Sequence, residues 1–113
     1  MIDWSQIDEL RAEVDEAFDE VVTLFLEETD DLMSRVRQAQ GAPQRDPAAL
    51  EADLHALKGA ALNLGLRAFA DACGDGERRA QSGDAESIDL DGIIACFTAS
   101  RAALLKGLDR DAA

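Results

Sequence analysis

The sequence predicts an all-α fold: a bundle of four amphipathic helices preceded by one shorter helix. Three observations carry the prediction. Apolar residues recur at steps of three and four along the long stretches. Capping residues and Gly- or Pro-containing breaks separate those stretches at short intervals. No segment alternates apolar and polar residues as a half-buried strand does. The 113 residues suffice for one domain, 1–113, with one core. Neither an internal repeat nor a low-complexity linker divides them.

The first helix is predicted from Trp4 to about Glu13. Asp3 caps it, and Gln6 occupies the reciprocal position of a capping box. Ile7, Leu10 and Val14 lie three and four apart. The stretch is too short to stand alone and must pack across the end of something larger.

The second helix is predicted over Glu16 to Gln40. Phe18, Val22, Phe25, Thr29, Leu32 and Val36 form one helical face. Val21, Leu24 and Met33 widen it, while Glu27, Glu28, Asp30 and Asp31 crowd the remainder. Gly41 and Pro43 break the helix.

Asp46 and Pro47 open the third helix as an N-cap followed by a first-turn proline. Leu50, Leu54, Leu57, Ala61, Leu64 and Ala68 continue the four-and-three spacing. Gly59 and Gly65 each cost about 1 kcal/mol relative to Ala in a helix. Gly65 either ends this helix or kinks it.

A fourth helix is predicted from Leu66 to about Gln81, with Leu66, Phe69 and Cys73 as its apolar edge. Gly74 and Gly76 weaken it and are expected to loosen that end of the bundle. Ser82-Gly83-Asp84 is a turn. Ser87 or Asp84 caps the last helix, which presents Leu90, Ile93, Ile94, Phe97, Leu104, Leu105 and Leu108. The tail from Asp109 to Ala113 is expected to fray.

Composition limits the function. Eleven Lys and Arg against 24 Asp and Glu give a formal net charge of -13. Such a field repels nucleic acid and anionic membranes and favours a partner with a basic docking face. Its simplest effect is solubility. No apolar run approaches the length that spans a bilayer. Asp3, Asp8 and Glu9 follow Met1 too closely for a secretory leader, so the cytoplasm is the expected compartment. Cys73 and Cys96 lack metal-like spacing. Both sit in apolar helical contexts that suit free thiols, and a disulfide between them stays open.

Chemistry concentrates at the only histidine, His55. At about 100° per residue it is rotated well off the Leu54–Leu57 stripe, towards solvent. Its same-face neighbours are Glu51, Lys58, Gly59 and Leu62. Imidazole is a competent nucleophile near neutral pH. Lys58, one turn on, places an ammonium where it can offset the charge of a phosphoryl group on His55. Gly59 removes a side chain from the same face. That suits close approach of a second protein, and it equally suits a tight helix crossing inside the bundle.

The stretch from His55 to Leu66 resembles the signature of histidine-containing phosphotransfer (HPt) domains. His55, Lys58, Gly59, Ala60, Asn63 and Gly65 fall in its register. Leu24-Phe25-Leu26-Glu27-Glu28 and Leu32 look like the family's helix before the histidine helix. The resemblance covers nearly the whole chain. It implies an antiparallel four-helix bundle with a short extra N-terminal helix. It implies that His55 takes a phosphoryl group from an aspartate of a response-regulator receiver domain and returns it to another, in a two-component phosphorelay. Lys58 and Gly59 match the family's lysine and glycine. Receiver domains hold Mg²⁺ at their own aspartate, so no cofactor and no metal is expected here. Docking in the family uses apolar residues around the histidine. On this chain Leu62 is a candidate, and so are Ile7, Leu10 and Val14.

Ala60 departs from the serine common at its position, a mild change where small size is what counts. The chain has no GxxxxGK[ST] loop and no room for an ATP-binding domain. A carrier is therefore expected, not a kinase. The alternative is a non-catalytic helical adaptor that binds receiver domains without phosphate turnover. A helical metalloprotein fails on ligands: there is one His, and Ala52 stands where a Glu-x-x-His pair needs Glu. A closed bundle with an exposed histidine suggests a monomer.

Overall fold

The computed structural model describes residues 2–112, and of residues 110–112 the helical backbone alone. Helix α1 spans Trp4–Val14, and a 3₁₀ turn (Asp15–Ala17) leads into α2, Phe18–Gln40. Helices α3, Pro47–Asn63, and α4, Arg67–Gln81, follow. A second 3₁₀ turn, Ala85–Ser87, precedes α5, Leu90–Ala112. The last four helices form the antiparallel bundle and α1 packs on α2 and α3. No strand occurs among the described residues; Ile2 and Leu66 make an isolated antiparallel bridge.

Local chemistry sets the boundaries. Asp3 accepts from the Gln6 backbone N–H at the start of α1. Asp46 accepts from Ala48 and Ala49 N–H at the start of α3, with Pro47 at its first position. Gly65 ends α3. Its φ of 70° turns the chain, Leu66 N–H donates to Ala61 O at 2.8 Å, and Gly65 N–H donates to Leu62 O at 3.3 Å. This is a Schellman termination, which needs the left-handed conformation that glycine adopts without strain. A methyl at Gly65 would also stand 2.5 Å from Asp3 O. The Asp3 N–H bond to Gly65 O (2.8 Å) and the Arg67–Asp3 ion pair (2.8 Å) tie the segment before α1 to this turn.

The core differs from the predicted stripes in particular places. On α2 the buried line is Phe18, Val22, Leu26, Thr29, Met33 and Val36. Phe25 and Leu32 lie half-buried at its edge, and Leu24 is exposed. Leu26 and Met33 lie on the other side of the shared Val22, Thr29 and Val36 line from Phe25 and Leu32, so the buried arc is rotated towards them. Ala68 is exposed, because the turn at Gly65 resets the phase between α3 and α4. Asp89 caps α5, accepting from Gly92 N–H at 2.9 Å. Asp84 and Ser87 instead shape the preceding 3₁₀ turn. The helix runs through Asp109 to Ala112, and Ala113 lies outside the described residues.

Gly74 and Gly76 do not loosen the bundle. They lie on the α3 side of α4, and a methyl at Gly76 would stand 2.9 Å from Leu54 Cδ1 and 3.3 Å from Ile88 Cγ2. Their bare backbone brings α4 close against α3, which sets the spacing of the groove described next. Both cysteines are free; Cys73 is buried and its thiol is pushed up to about 12 by burial. Phe69 and Phe97 meet with ring centroids 5.2 Å apart, near the middle of the core.

Candidate functional site

On α3, Leu50, Leu54, Leu57, Ala60 and Ala61 face the core. The helical period then turns His55, Lys58, Gly59 and Leu62 outwards. The His55 side chain is 70% exposed. A methyl at Gly59 would have no neighbour within 4 Å. Of the two readings of this glycine, tight internal packing therefore falls. Leu62 is exposed too, so an apolar side chain stands in solvent two turns beyond His55.

The site's organising residue comes from α4. Glu77 presents its carboxylate to the α3–α4 groove with a side chain only 9% exposed. Oε2 lies 2.8 Å from His55 Nδ1, and Oε1 accepts from Lys58 Nζ at 2.8 Å. One carboxylate thus holds the imidazole and the ammonium together. The Lys58 ammonium beside it keeps the Glu77 carboxyl below the ordinary carboxylate range. Partial burial works the other way, and the His55 hydrogen bond adds to the lowering. Charge outweighs desolvation, and the net shift is downward.

An ionised carboxylate can only accept. Nδ1 must therefore carry the hydrogen, and in the neutral ring Nε2 keeps the lone pair. The site presents a solvent-facing nitrogen nucleophile, a carboxylate behind it to balance positive charge on the ring, and an ammonium alongside.

The other candidate residues are placed as follows. Ala60 is buried at the base of the site face. Asn63 is exposed, and its side-chain amide donates to Gly59 O at 3.1 Å, closing the last turn of α3. Gly65 forms the turn. Ile7 and Leu10 are corrected: both are buried in the core under α1, as the apolar face of a short amphipathic helix must be, and neither is available to a partner. Val14 is half-buried against the same core. Among the described residues no group of His, Cys, Asp and Glu side chains could hold a metal ion, and no helix is long and apolar enough to cross a membrane.

Sequence reading missed Glu77, which looks like one more acid in an acidic chain. A signal existed. Glu77 is four residues beyond Cys73 and three before Ala80, so it falls on the buried edge of α4. A carboxylate on a buried edge needs partners.

Fold and site together define a helical bundle that displays one histidine, hydrogen-bonded to a carboxylate, beside a bare glycine. The profile of the Hpt domain family matches residues 20–109, and the chain belongs to that family. Among solved structures, the histidine-containing phosphotransfer protein ZmHP2 from maize is alike in fold. It has a TM-score of 0.66 and 22% identity, covering 94% of this chain and 80% of that one. A search of curated protein sequences finds no match.

Proposed function

We propose that this chain is a phosphoryl carrier of a two-component phosphorelay, with His55 as acceptor and aspartates of response-regulator receiver domains as donor and recipient. The reading rests on the single carboxylate of Glu77 holding both His55 Nδ1 and Lys58 Nζ at 2.8 Å. With Nδ1–H donated to Glu77, the Nε2 lone pair attacks the phosphorus of an aspartyl phosphate. The N–P bond forms as the P–O bond to the aspartate breaks, and the carboxylate leaves with the electron pair. The ring becomes a phosphorylated imidazolium. Its positive charge is balanced by Glu77, and no proton has to move. Lys58 offsets charge on the phosphoryl oxygens. Gly59 and Leu62 flank the approach path as docking residues. We assign the whole chain to one domain that works as a cytoplasmic monomer without a cofactor of its own.

Transfer from a ³²P-labelled receiver tests this. Wild type should take up acid-labile, alkali-stable phosphate and H55Q should not. Equal labelling of H55Q would remove His55 as acceptor. Stable receiver binding without any labelling of wild type would favour the adaptor reading.

A further inference from the structure

We infer that Arg78 is a second cation for the phosphoryl group, held in reserve beside Lys58 and recruited when His55 is phosphorylated. The inference rests on the carrier reading above and adds a residue to it.

In the unmodified site the charges close. One carboxylate, Glu77, meets one ammonium, Lys58. Phosphorylation adds an anion of about -1.5 to -2 charge at neutral pH, and the ring gains one positive charge. Glu77 and the phosphoryl group then carry about -2.5 to -3 together, against +2 from the ring and Lys58, so an anionic excess remains beside the ammonium. Lys58 cannot serve both at full strength.

Arg78 follows Glu77 directly on α4 and lies on the groove side. A methyl on Gly74 would stand 3.5 Å from Lys58 Cδ and 3.7 Å from Arg78 Nη1. The guanidinium and the Lys58 stem thus both border Gly74. The missing side chain of Gly74 leaves that lane open. Arg78 is weakly held: its ion pair with Asp75 is 3.7 Å long, and the Arg78 side chain is 72% exposed. Releasing such a pair costs little. A planar guanidinium with paired N–H groups matches phosphoryl oxygens better than a second ammonium does.

The full chain can be phosphorylated with potassium phosphoramidate. The Nε2–P bond replaces the bond to nitrogen, and ammonia leaves. Wild type, H55Q, R78Q and R78K are compared by ³¹P NMR across pH, with thermal melts of each unmodified protein. A nearby cation favours the phosphoryl dianion. R78Q should therefore raise the pH of its second ionisation by about 0.3 to 0.7, a two- to fivefold change in proton affinity. R78K should fall nearer wild type, and the unmodified melts should agree. In wild type the Arg78 Nε–Hε resonance should shift and exchange more slowly after phosphorylation. Coincident ³¹P titrations of R78Q and wild type, or an Arg78 resonance indifferent to phosphorylation, would overturn the inference. The second holds even if R78Q folds poorly. Failure of wild type to be phosphorylated, or equal phosphorylation of H55Q, would instead sink the acceptor reading, and this inference with it.

Discussion

Glu77 and His55 are 22 positions apart in sequence, and their side chains meet at 2.8 Å across the α3–α4 groove. The contact fixes which ring nitrogen faces solvent. E77Q keeps the shape and removes the charge that balances an imidazolium. It should slow phosphorylation of His55 by roughly tenfold, the scale of a charge-assisted hydrogen bond. Labelling rates from a phosphorylated receiver, at equal protein stability, measure this.

The same pair predicts a pH dependence. The Glu77 carboxyl lies below the ordinary carboxylate range in the folded state. Its contribution to stability is complete above the unfolded value and is lost as pH falls through the lowered folded one. The difference in stability between wild type and E77Q should close as pH falls below about 4. Denaturation at a series of pH values reads it. A difference that persists throughout the acid range would contradict the assignment.

Lys58 is tied to Glu77 as well as placed for a phosphoryl group, so its role is not purely electrostatic towards the ligand. K58A should still fold, because the side chain is 35% exposed and lies at the rim of the groove. Transfer rate or phosphohistidine lifetime should fall by an amount equivalent to about 1.5 to 3 kcal/mol. Unchanged values of both would remove Lys58 from the site.

Gly59 and Gly76 should respond in opposite directions to substitution. G59A fills open space and gains helix propensity, so it should be more stable by about 1 kcal/mol. G59Q should match or exceed wild type in stability yet transfer poorly, since its side chain stands in the approach path. G76A meets Leu54, Ile88 and Ile93 at 2.9 to 3.3 Å. Overpacking there outweighs propensity, for a net loss on the order of 1 kcal/mol. Thermal melts of the three variants beside transfer rates make the comparison.

Leu54 is fully buried between α3 and α4. L54A should cost about 2 to 5 kcal/mol. Phe97, whose ring meets Phe69 at a tilt, should fall in the same range when cut to Ala. Urea denaturation at constant slope measures both, and a loss below about 1 kcal/mol at Leu54 would mean that the core is not packed as described.

Helix order and most boundaries were legible because caps and breaks act locally. Asp3, Asp46-Pro47 and Gly65 work through backbone groups within a few residues. The side of α3 that carries His55, Lys58, Gly59 and Leu62 follows from period alone. What the sequence could not supply is the partner across the groove. Glu77 acquires its meaning only when two glycines bring α4 against α3, and periodicity says nothing about which helix faces which. The burial of Ile7 and Leu10 was hidden for a related reason. An apolar face on a short helix serves a core or a partner equally well until its neighbours are known.

Trp4 packs its ring directly against Gly107 of α5, at a place where the glycine has no side chain to hold it off. It is the chain's sole tryptophan, and there is no tyrosine. The protein's near-ultraviolet emission is therefore a local signal, from the seam between α1 and α5. An unfolding curve followed by fluorescence reports when that seam parts. One followed by helical circular dichroism reports the bundle as a whole. If α1 detaches first, the two midpoints separate, with fluorescence the earlier. A W4F protein, dark at that wavelength, would leave the indole of a tryptophan-bearing receiver as the only emitter in a mixture, so docking could be watched without a label.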